Sequence, residues 1–399
     1  MLQVILAGGG HSMLPVLRKA RRWKDADLAE TTLFDPHPSL HYSGMIPEYL
    51  GGIYDATQAR IDLAPLCQRA GVNFRQEALV RIDPAQGTVT DATGQTTRYD
   101  VLALDIGGRN PALPEDAFPT KPLHRLPDVE ARIRDVLSTS GRSLSLCVVG
   151  GGAAGIEILL NVTARFIGAG RRTDLSATVV ESAGSLLPDF PHGMQRHVTS
   201  ILADRGVEII LNERVTSVDR QGASTRSTST GASRRVAAGT VLWATGVSGP
   251  PLLQNSPLPL DKNAFVRVND TLQVEGHSRI FAAGDCATIT GHESLPKVGV
   301  HAVKQGPDLA TNLDRTVRTL RRTGTLPDPA ALRRFRPYAV APLILSTGTR
   351  DGIWTTGTVW WRGTLALRLK HWVDRRWIQA YNDAWPAYGT SLSRPDAPL

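Results

Sequence analysis

Short, largely apolar runs that end in glycine recur along this chain, and they predict buried strands. The first two runs span residues 2–7 and 144–149, and each is followed by a glycine-rich turn. After the turns, apolar residues return at helical spacing, at Leu14 and Leu17 in the first case and from Ile156 onward in the second. A strand, a glycine turn and a helix in this order form the unit from which parallel sheets are built. The pattern therefore predicts the α/β fold class.

The second turn carries the spacing Gly-x-Gly-x-x-Gly, with Gly150, Gly152 and Gly155 in the glycine positions. The first glycine permits a tight turn, the second lets backbone N–H groups approach a pyrophosphate, and the third lets helix and strand pack closely. The helix that Ala153 begins favours negative charge at its N-terminus. Glu181 ends the next predicted strand, where a carboxylate binds the adenosine ribose. No arginine follows Glu181 directly to hold a 2′-phosphate, so NADH is favoured over NADPH.

The first turn is a second fingerprint of the same kind. Gly8 and Gly10 fill the first two glycine positions, Met13 takes the third, and Asp35 ends the following predicted strand as the ribose carboxylate. Two such units in one chain are much more specific than one. The usual reason for the pair is that one unit binds FAD and the other NAD(P)H, so that hydride passes between them. We therefore predict an enzyme with FAD and NADH as cofactors.

Three further predicted strands end in glycine, at Gly107, Gly246 and Gly284. Asp105 stands two residues before Gly107, in a place where alanine is usual, and a buried carboxylate there needs a partner. Asp285 follows Gly284 directly at a predicted helix N-terminus. Plain helix capping is the alternative to a cofactor role for Asp285.

Composition narrows the class of protein without choosing its partner. The chain has 399 residues, a formal net charge of +8 and a pI near 9.7, which suits anionic cofactors, an anionic membrane surface or, least favoured, nucleic acid. Three cysteines without paired spacing argue against a disulfide scaffold and a zinc site, so no metal is predicted. No signal peptide and no run of about 18 apolar residues is visible, so no spanning helix is expected. We expect a cytoplasmic protein, or one bound peripherally to the inner face of the cell membrane.

The order of these motifs resembles that of flavoproteins with two dinucleotide folds, related to type II NADH dehydrogenases and sulfide:quinone oxidoreductases. The chain resembles especially the NADH-dehydrogenase-like oxidoreductase that is often fused ahead of selenide, water dikinase. The motifs that carry the narrower resemblance lie at residues 8–11, 42–47, 61–63, 104–107, 296–306 and 345–348. The resemblance covers nearly the whole chain.

The resemblance implies the site residues one by one. For FAD it implies Gly8, Gly9, Gly10, His11, Asp35, Ser43, Gly44, Met45, Gly107, Gly284, Asp285, Lys297 and Val298, and for NADH Gly150, Gly152, Ala153, Gly155, Glu181 and Gly246. Glu157 matches a glutamate near the flavin and quinone cleft, and Lys297 falls where donors reach the flavin pyrimidine ring. Both are catalytic candidates that tune electron transfer to the acceptor. The alternatives are a local cap or ion pair for Glu157 and a surface charge for Lys297.

The resemblance also implies two Rossmann-like dinucleotide-binding domains, the NADH domain inserted into the FAD domain, and a C-terminal cap. We predict the FAD domain at residues 1–110 and 262–325, the NADH domain at 111–261, and the cap or interface segment at 326–399.

The acceptor is the least determined part of the predicted function. Residues 41–47 hold no cysteine, although flavoprotein disulfide reductases carry a redox-active pair there, so electrons must pass from the flavin to a separate acceptor such as quinone. Type II dehydrogenases carry an Ala-Gln-x-x-x-Gln motif, whereas the aligned positions here are Gly299, Val300 and Lys304, with Gln305 beside them. The alternatives are a soluble NADH-dependent reductase of a protein, a sulfur or selenium compound or oxygen, and a non-catalytic flavoprotein that senses NADH.

The C-terminal segment predicts an amphipathic helix. One face carries Leu365, Leu369, Trp372, Val373, Trp377 and Tyr381, and the opposite face carries Lys370, His371, Asp374 and Arg375. Tryptophan and arginine on such a helix are typical of membrane-surface contact, so residues 354–385 are predicted to meet a membrane. The same apolar face could instead cover the flavin cleft or form a homodimer interface. The tail at residues 394–399 is predicted to be disordered.

Overall fold

The computed structural model describes residues 1–338 and 340–382. The strands in chain order are β1 (Leu2–Ala7), β2 (Ala29–Phe34), β3 (Ser39–His41), β4 (Arg60–Asp62), β5 (Asn73–Arg75), β6 (Leu79–Asp83), β7 (Thr88–Asp91), β8 (Thr96–Arg98), β9 (Val101–Leu104), β10 (Ala117–Pro119), β11 (Leu144–Val149), β12 (Leu175–Val180), β13 (Glu208–Ile210), β14 (Glu213–Asp219), β15 (Gly222–Ser227), β16 (Ser233–Ala237), β17 (Thr240–Trp243), β18 (Val266–Val268), β19 (Gln273–Val274), β20 (His277–Ala282), β21 (Ala287–Ile289), β22 (Leu343–Ser346), β23 (Gly352–Thr356) and β24 (Val359–Gly363).

The α-helices in chain order are α1 (Leu14–Asp25), α2 (Ile46–Leu50), α3 (Leu63–Ala70), α4 (Leu126–Ser138), α5 (Ala153–Gly168), α6 (His192–Asp204), α7 (Pro251–Gln254), α8 (Gly299–Thr323) and α9 (Thr364–Asn382). Short 3-10 helices lie at Leu123–Arg125, Arg172–Asp174, Gly284–Cys286 and Pro329–Ala331. The predicted disordered tail, and residues 383–385 of the predicted membrane segment, lie outside the described residues.

The first glycine loop follows β1, an interior strand of an eight-stranded sheet ordered β21-β18-β19-β20-β9-β1-β2-β5. β1 pairs in parallel with β2 and β9, so that Ala7 lies opposite Phe34 and Leu104. The carboxyl ends of these three strands therefore meet at one edge of the sheet. This is the edge at which open α/β sheets bind their ligands.

The second glycine loop follows the middle strand of a five-stranded parallel sheet, ordered β10-β17-β11-β12-β13. In this sheet Val149 lies opposite Val180 and Trp243. Strands β11, β12 and β17 thus repeat the arrangement of β1, β2 and β9. Both predicted dinucleotide units are present, and each glycine loop stands between a strand end and a helix N-terminus.

The helices form for the reasons that their sequences suggest. Pro15 lies in the first turn of α1, where its missing N–H removes no hydrogen bond. The interior of this unit is tightly closed, since Leu14, Leu17 and Met13 are fully buried. α1 packs against α8, and α5 packs against α2 and β12. These contacts hold the two glycine loops in place.

The C-terminal segment forms a three-stranded antiparallel sheet, β22-β23-β24, followed by α9. α9 packs against β23, β22 and β4, and its two sequence-predicted faces do not separate into an apolar inner side and a polar outer side. Lys370 and Asp374 are buried at 7% and 5% exposure, whereas Leu369 and Trp372 are 41% and 54% exposed. None of the helices in the described part of the chain is long and apolar enough to cross a membrane.

Candidate functional site

The N-terminal glycine loop is shaped by contacts to neighbouring strand ends. Gly8 has φ +85°, and a Cβ there would overlap the backbone carbonyl of Asp105. The Gly9 N–H donates to Oδ2 of Asp35 at 2.8 Å, and the His37 N–H donates to Oδ1 of the same carboxylate at 2.8 Å. Burial raises the pKa of Asp35, and these two hydrogen bonds offset part of that rise. Asp35 therefore connects the glycine loop to the end of β2. A carboxylate that binds the ribose would need this position.

The second glycine loop follows the same plan. Gly150 has φ +111°, and the Gly151 N–H donates to Oε2 of Glu181 at 2.6 Å. A Cβ on Gly152 would meet nothing within 4 Å, whereas one on Gly155 would overlap the carbonyl of Gly150. Gly152 thus borders open space at the N-terminus of α5, and Gly155 is needed for close packing. The loop fits the pyrophosphate of NADH, whose negative charge the helix N-terminus favours.

The Gly284–Asp285 turn meets the FAD loop from the other side. Gly284 has φ +71°, and its N–H donates to Oε1 of Gln305 at 2.6 Å. Oδ2 of Asp285 accepts a hydrogen bond from Nζ of Lys121 at 2.6 Å, and the same ammonium donates to the carbonyl of Lys297 at 2.6 Å. Lys121 is a site residue that the sequence did not reveal. It joins the turn to the linker between the two sheets.

The two ends of Lys297 have different surroundings. Its carbonyl lies at the site, bound to Lys121, but its own Nζ donates to the carbonyl of Ala287 and, at 3.1 Å, to Oγ1 of Thr288. The ammonium also lies 4.3 Å from the centroid of the Phe265 ring. Burial lowers the pKa of Lys297. The side chain thus braces β21, and the backbone of Lys297 and Val298 is the part that faces the predicted flavin site.

Residues 43–45 lie between the beginnings of two helices. Val298 caps α8 at its N-terminus, and a Cβ on Gly299 would lie 2.7 Å from Oγ of Ser43. Met45 is buried as the N-terminal cap of α2. The carbonyl of Gly44 accepts a hydrogen bond from Nζ of Lys370. The segment that takes the place of a redox-active disulfide is therefore held by both α8 and α9.

A buried cluster of charges surrounds Lys370. Its Nζ lies 2.8 Å from Oε2 of Glu48, 2.8 Å from Oδ2 of Asp374 and 3.9 Å from Oε1 of Glu157. Nε2 of His371 lies 2.6 Å from Oε1 of Glu48. Burial acts to lower the pKa of Lys370, but the carboxylates of Asp374, Glu157 and Glu48 outweigh it and raise that pKa well above its ordinary value. Lys370 is therefore a cation throughout the neutral range.

Burial in this cluster favours the protonated form of Glu157. Burial raises its pKa to about 8, against the attraction of Lys370 and a 2.8 Å hydrogen bond from the Ser346 N–H. Glu48 behaves in the opposite way, since bonds from His371 and Lys370 outweigh its burial and lower its pKa. At pH 7 Glu157 is thus mainly protonated while its neighbour is ionised. The sequence suggested Glu157 but not Lys370, Glu48 or Asp374.

Three stacked rings connect this cluster to the FAD loop. The ring of Trp377 lies 5.2 Å from that of His11 and 4.3 Å from that of Tyr42, both stacked. The Tyr42 hydroxyl donates to Oδ1 of Asp374 at 3.0 Å. Burial lowers the pKa of His11 to about 4, and its Nε2 is buried without a partner among the described residues. An unpaired ring nitrogen beside Asp285 and the glycine loop fits a site that receives the polar atoms of FAD.

Gln305 does not replace the glutamines of the quinone motif. It is 3% exposed, and its amide oxygen is used by the Gly284 N–H. Lys304, at an aligned motif position, lies with Nζ 3.6 Å from the centroid of the Tyr338 ring. The cysteines take no visible part in the site, because Cys67, Cys147 and Cys286 are free and buried and burial raises each thiol pKa to about 12.

Comparison with known proteins identifies the family and relatives that match most of the chain. The pyridine nucleotide-disulphide oxidoreductase family matches residues 2–306. A type II NADH:quinone oxidoreductase of Staphylococcus epidermidis is 26% identical over 400 residues, which cover 94% of this chain and 95% of that one. One of Staphylococcus aureus is 25% identical over 372 residues, covering 88% of this chain and 89% of its own length.

Solved structures share the fold. The sulfide:quinone oxidoreductase of Aquifex aeolicus has a TM-score of 0.74 and 17% identity, over 96% of this chain and 92% of that one. NDH2 from Plasmodium falciparum, in complex with NADH, has a TM-score of 0.77 and 14% identity, over 95% and 97%. The predicted α/β fold with two Rossmann-like units, the cofactors FAD and NADH, and the assignment as an FAD-dependent dehydrogenase are confirmed. The chain belongs to the pyridine nucleotide-disulphide oxidoreductase family.

Proposed function

We propose that the protein is an NADH:quinone oxidoreductase that works at a membrane surface, and that α9 is the element that meets the membrane. FAD, when bound, accepts hydride from NADH and passes electrons to a second acceptor, and this chemistry belongs to the cofactor. The observation that carries the proposal is the outer face of α9, which exposes large apolar side chains among arginines while a buried charge cluster lies on its inner side. The relatives named as NADH:quinone oxidoreductases support the same acceptor.

The outer face of α9 has the composition of an interfacial helix. Leu365, Leu369 and Trp372 recur at helical spacing and are 67%, 41% and 54% exposed. Arg376 lies over the Trp372 ring with its guanidinium 5.3 Å from the centroid. Exposed leucine and tryptophan bordered by arginine suit the boundary between acyl chains and anionic headgroups. A quinone dissolved in the membrane would then be delivered to the side of the protein that holds the cluster.

The residues beneath this face supply what quinone reduction needs from the protein. A quinone takes up protons as it becomes a quinol, and the protonated carboxyl of Glu157 is the neutral-pH proton donor in the cluster. Lys370 is the cation against which Glu48, Asp374 and Glu157 converge. The stacked rings of Tyr42, His11 and Trp377 form a wall beside the cluster. The hydride of NADH supplies two electrons and one of the two protons of the quinol. We propose that Glu157 donates the second proton and recovers it from solvent, and that Lys370 positions Glu157.

The loop around α5 performs the other half of the reaction. In this proposal Glu181, which accepts hydrogen bonds from the Gly151 N–H at 2.6 Å and the Ala183 N–H at 2.8 Å, binds the adenosine ribose of NADH. Gly152 leaves room for the pyrophosphate. These contacts align the dinucleotide, and alignment contributes most of the rate in a hydride transfer between bound cofactors.

A second candidate acceptor is supported by one observation. Gly299, Val300 and Lys304 occupy the aligned positions of the quinone motif. The amide oxygen of Gln305 already accepts a hydrogen bond from the Gly284 N–H. A reductase of a protein, a sulfur or selenium compound or oxygen would not need that motif. An acceptor screen with NADH in excess separates the two functions. Only the first function predicts that quinones are reduced faster than oxygen and the soluble acceptors.

The membrane half of the proposal is tested on vesicles that contain anionic lipid. The double variant Leu369→Glu/Trp372→Glu should lose at least about a hundredfold in vesicle binding, since each of the two buried apolar side chains contributes about 1.5–3 kcal/mol and about 1.4 kcal/mol is tenfold. Reduction of a water-soluble short-chain quinone should be unchanged. Val80→Glu/Leu113→Glu, at two positions away from α9 that are 39% and 37% exposed, adds the same two charges and is the matched control. Equal vesicle binding by all three proteins would refute membrane docking, and a dimer that only the double variant dissociates would assign the face to a second copy.

A further inference from the structure

The two dinucleotide units differ at one buried position, and the difference concerns a charge. The Asp105 N–H donates to the carbonyl of Ala7, and the Ala244 N–H donates to the carbonyl of Val149, both at 2.8 Å. A Cβ on Gly8 would overlap the carbonyl of Asp105, and a Cβ on Gly150 would lie against the carbonyl of Ala244. Asp105 and Ala244 therefore occupy equivalent positions in the two units. One unit has a methyl group where the other has a carboxyl group.

The Asp105 carboxyl reaches the place where a pyrophosphate approaches the FAD loop. Its Oδ2 accepts a hydrogen bond from the Ser12 N–H, near the start of α1, at 2.7 Å. A Cβ on Gly10 would overlap the carboxyl carbon and both oxygens, and one on Gly284 would overlap Oδ1. In the NADH unit the glycine equivalent to Gly10 is Gly152, which borders open space. A carboxyl group thus stands against the second fingerprint glycine of the FAD unit only.

The charges around Asp105 favour its neutral form. The residue is 4% exposed, and no lysine or arginine forms an ion pair with it in the described part of the chain. Burial raises its pKa to about 7, and the nearby charge of Asp285 adds to this, while the Ser12 N–H acts in the opposite direction. Its other titratable neighbour is the buried thiol of Cys286.

The remaining charged groups of this region lie around Asp285. Lys121 pairs with that carboxylate, and Lys297 and the buried ring of His11 feel its charge. None of the three supplies Asp105 itself with a counter-ion. If Asp105 were ionised, only the N-terminus of a helix would compensate its negative charge. A second anion brought to this region would therefore be repelled by it.

We propose that Asp105 carries a proton whenever FAD is bound, so that FAD binding takes one proton from solvent at alkaline pH. The pyrophosphate of FAD brings negative charge to the loop against which the carboxyl group stands, and two anions in a buried site repel each other strongly. The neutral carboxyl group instead offers an O–H that can donate to a pyrophosphate oxygen. The step moves one proton from solvent to the carboxylate and transfers no electrons.

Proton uptake makes FAD affinity depend on pH in a specific way. Below the pKa of Asp105 in the FAD-free protein, the dissociation constant of FAD is constant. Above that pKa it rises about tenfold for each pH unit, because binding must take up a proton whose concentration in solution falls tenfold per unit. ADP-ribose binding to the NADH unit should lack this dependence, since Ala244 cannot titrate.

The experiment removes FAD from the full chain and adds it back between pH 6 and pH 9. Quenching of flavin fluorescence gives the dissociation constant, and calorimetry in two buffers of different ionisation enthalpy gives the protons taken up. We expect about tenfold weaker binding at pH 9 than at pH 8, with uptake of nearly one proton. Asp105→Asn should bind FAD with a flat profile and no uptake. Ala244→Asp should transfer the dependence to ADP-ribose.

The outcomes separate cleanly. A flat wild-type profile without proton uptake overturns the proposal, and so does a slope that Asp105→Asn shares. If either variant fails to fold, the wild-type calorimetry still decides, because it needs no substitution. None of these readouts involves turnover, so a failure of quinone reduction and a failure of this inference are distinguishable.

Discussion

Replacing Lys370 by methionine tests whether the buried cluster is held by its one central cation. The side chain is 7% exposed and forms two ion pairs of 2.8 Å, so its removal leaves Glu48 and Asp374 without their closest positive charge. Removing one partner of a buried pair costs about 3–5 kcal/mol, because the remaining charge stays uncompensated. We expect Lys370→Met to lower the free energy of unfolding by that amount at pH 8, measured by urea denaturation with FAD in excess.

The pH dependence has a definite sign. Because the pKa of Lys370 is raised, its contribution is fully present below pH 10.5 and is lost only as pH rises through the higher folded value. The variant's deficit should shrink toward pH 5, where carboxylates left without the lysine take up protons. Adding Glu48→Gln to Lys370→Met should recover a large part of the loss.

The matched control is Lys19→Met. Lys19 lies 3.9 Å from Asp314, with side-chain exposures of 29% and 20%, and such an exposed pair contributes about 0–1 kcal/mol. A Lys370→Met deficit below about 1 kcal/mol, or one equal to that of Lys19→Met, would refute the buried-cluster argument.

Three further substitutions have direct readouts. Glu181→Ala frees the Gly151 N–H, so the KM for NADH in steady-state kinetics should rise about tenfold with FAD retained; an unchanged KM would contradict the ribose assignment. In the wild type, the rate of acceptor reduction measured by stopped flow should fall above pH 8, as Glu157 loses its proton. Glu157→Gln cannot ionise, so its rate should be independent of pH. A fall that persists in the variant would assign the titration to another group. Lys121→Met leaves Asp285 unpaired, and more FAD should be lost on gel filtration than from Lys19→Met.

The features that were predictable from sequence are those that depend on the local backbone. Gly8 and Gly150 both need positive φ, and Asp35 and Glu181 both end strands that neighbour the glycine loops. Such backbone requirements produce a characteristic spacing of glycines and carboxylates, which is visible in a single sequence. The amino-acid sequence alone was therefore sufficient to predict the two units and their cofactors.

The residues that were missed depend on contacts between distant segments. Lys121 and Asp285 are 164 positions apart, and Lys370 and Glu48 are 322 positions apart. No periodicity links such positions. The orientation of α9 was missed for the same reason, since a lysine faces inward only where carboxylates from other elements meet it. Local amphipathicity alone favours the opposite choice.

The position of Lys370 between Leu369 and His371 has a consequence for the whole C-terminal helix. Adjacent residues of α9 contact opposite surroundings, one side open to solvent and the other bonded to Glu48 and Glu157. Any ligand or surface that contacts the outer side of α9 therefore lies one residue away from the buried ion pairs of Lys370. If the proposed membrane contact shifts the helix, the distances from the ammonium group to its carboxylates are the first that change.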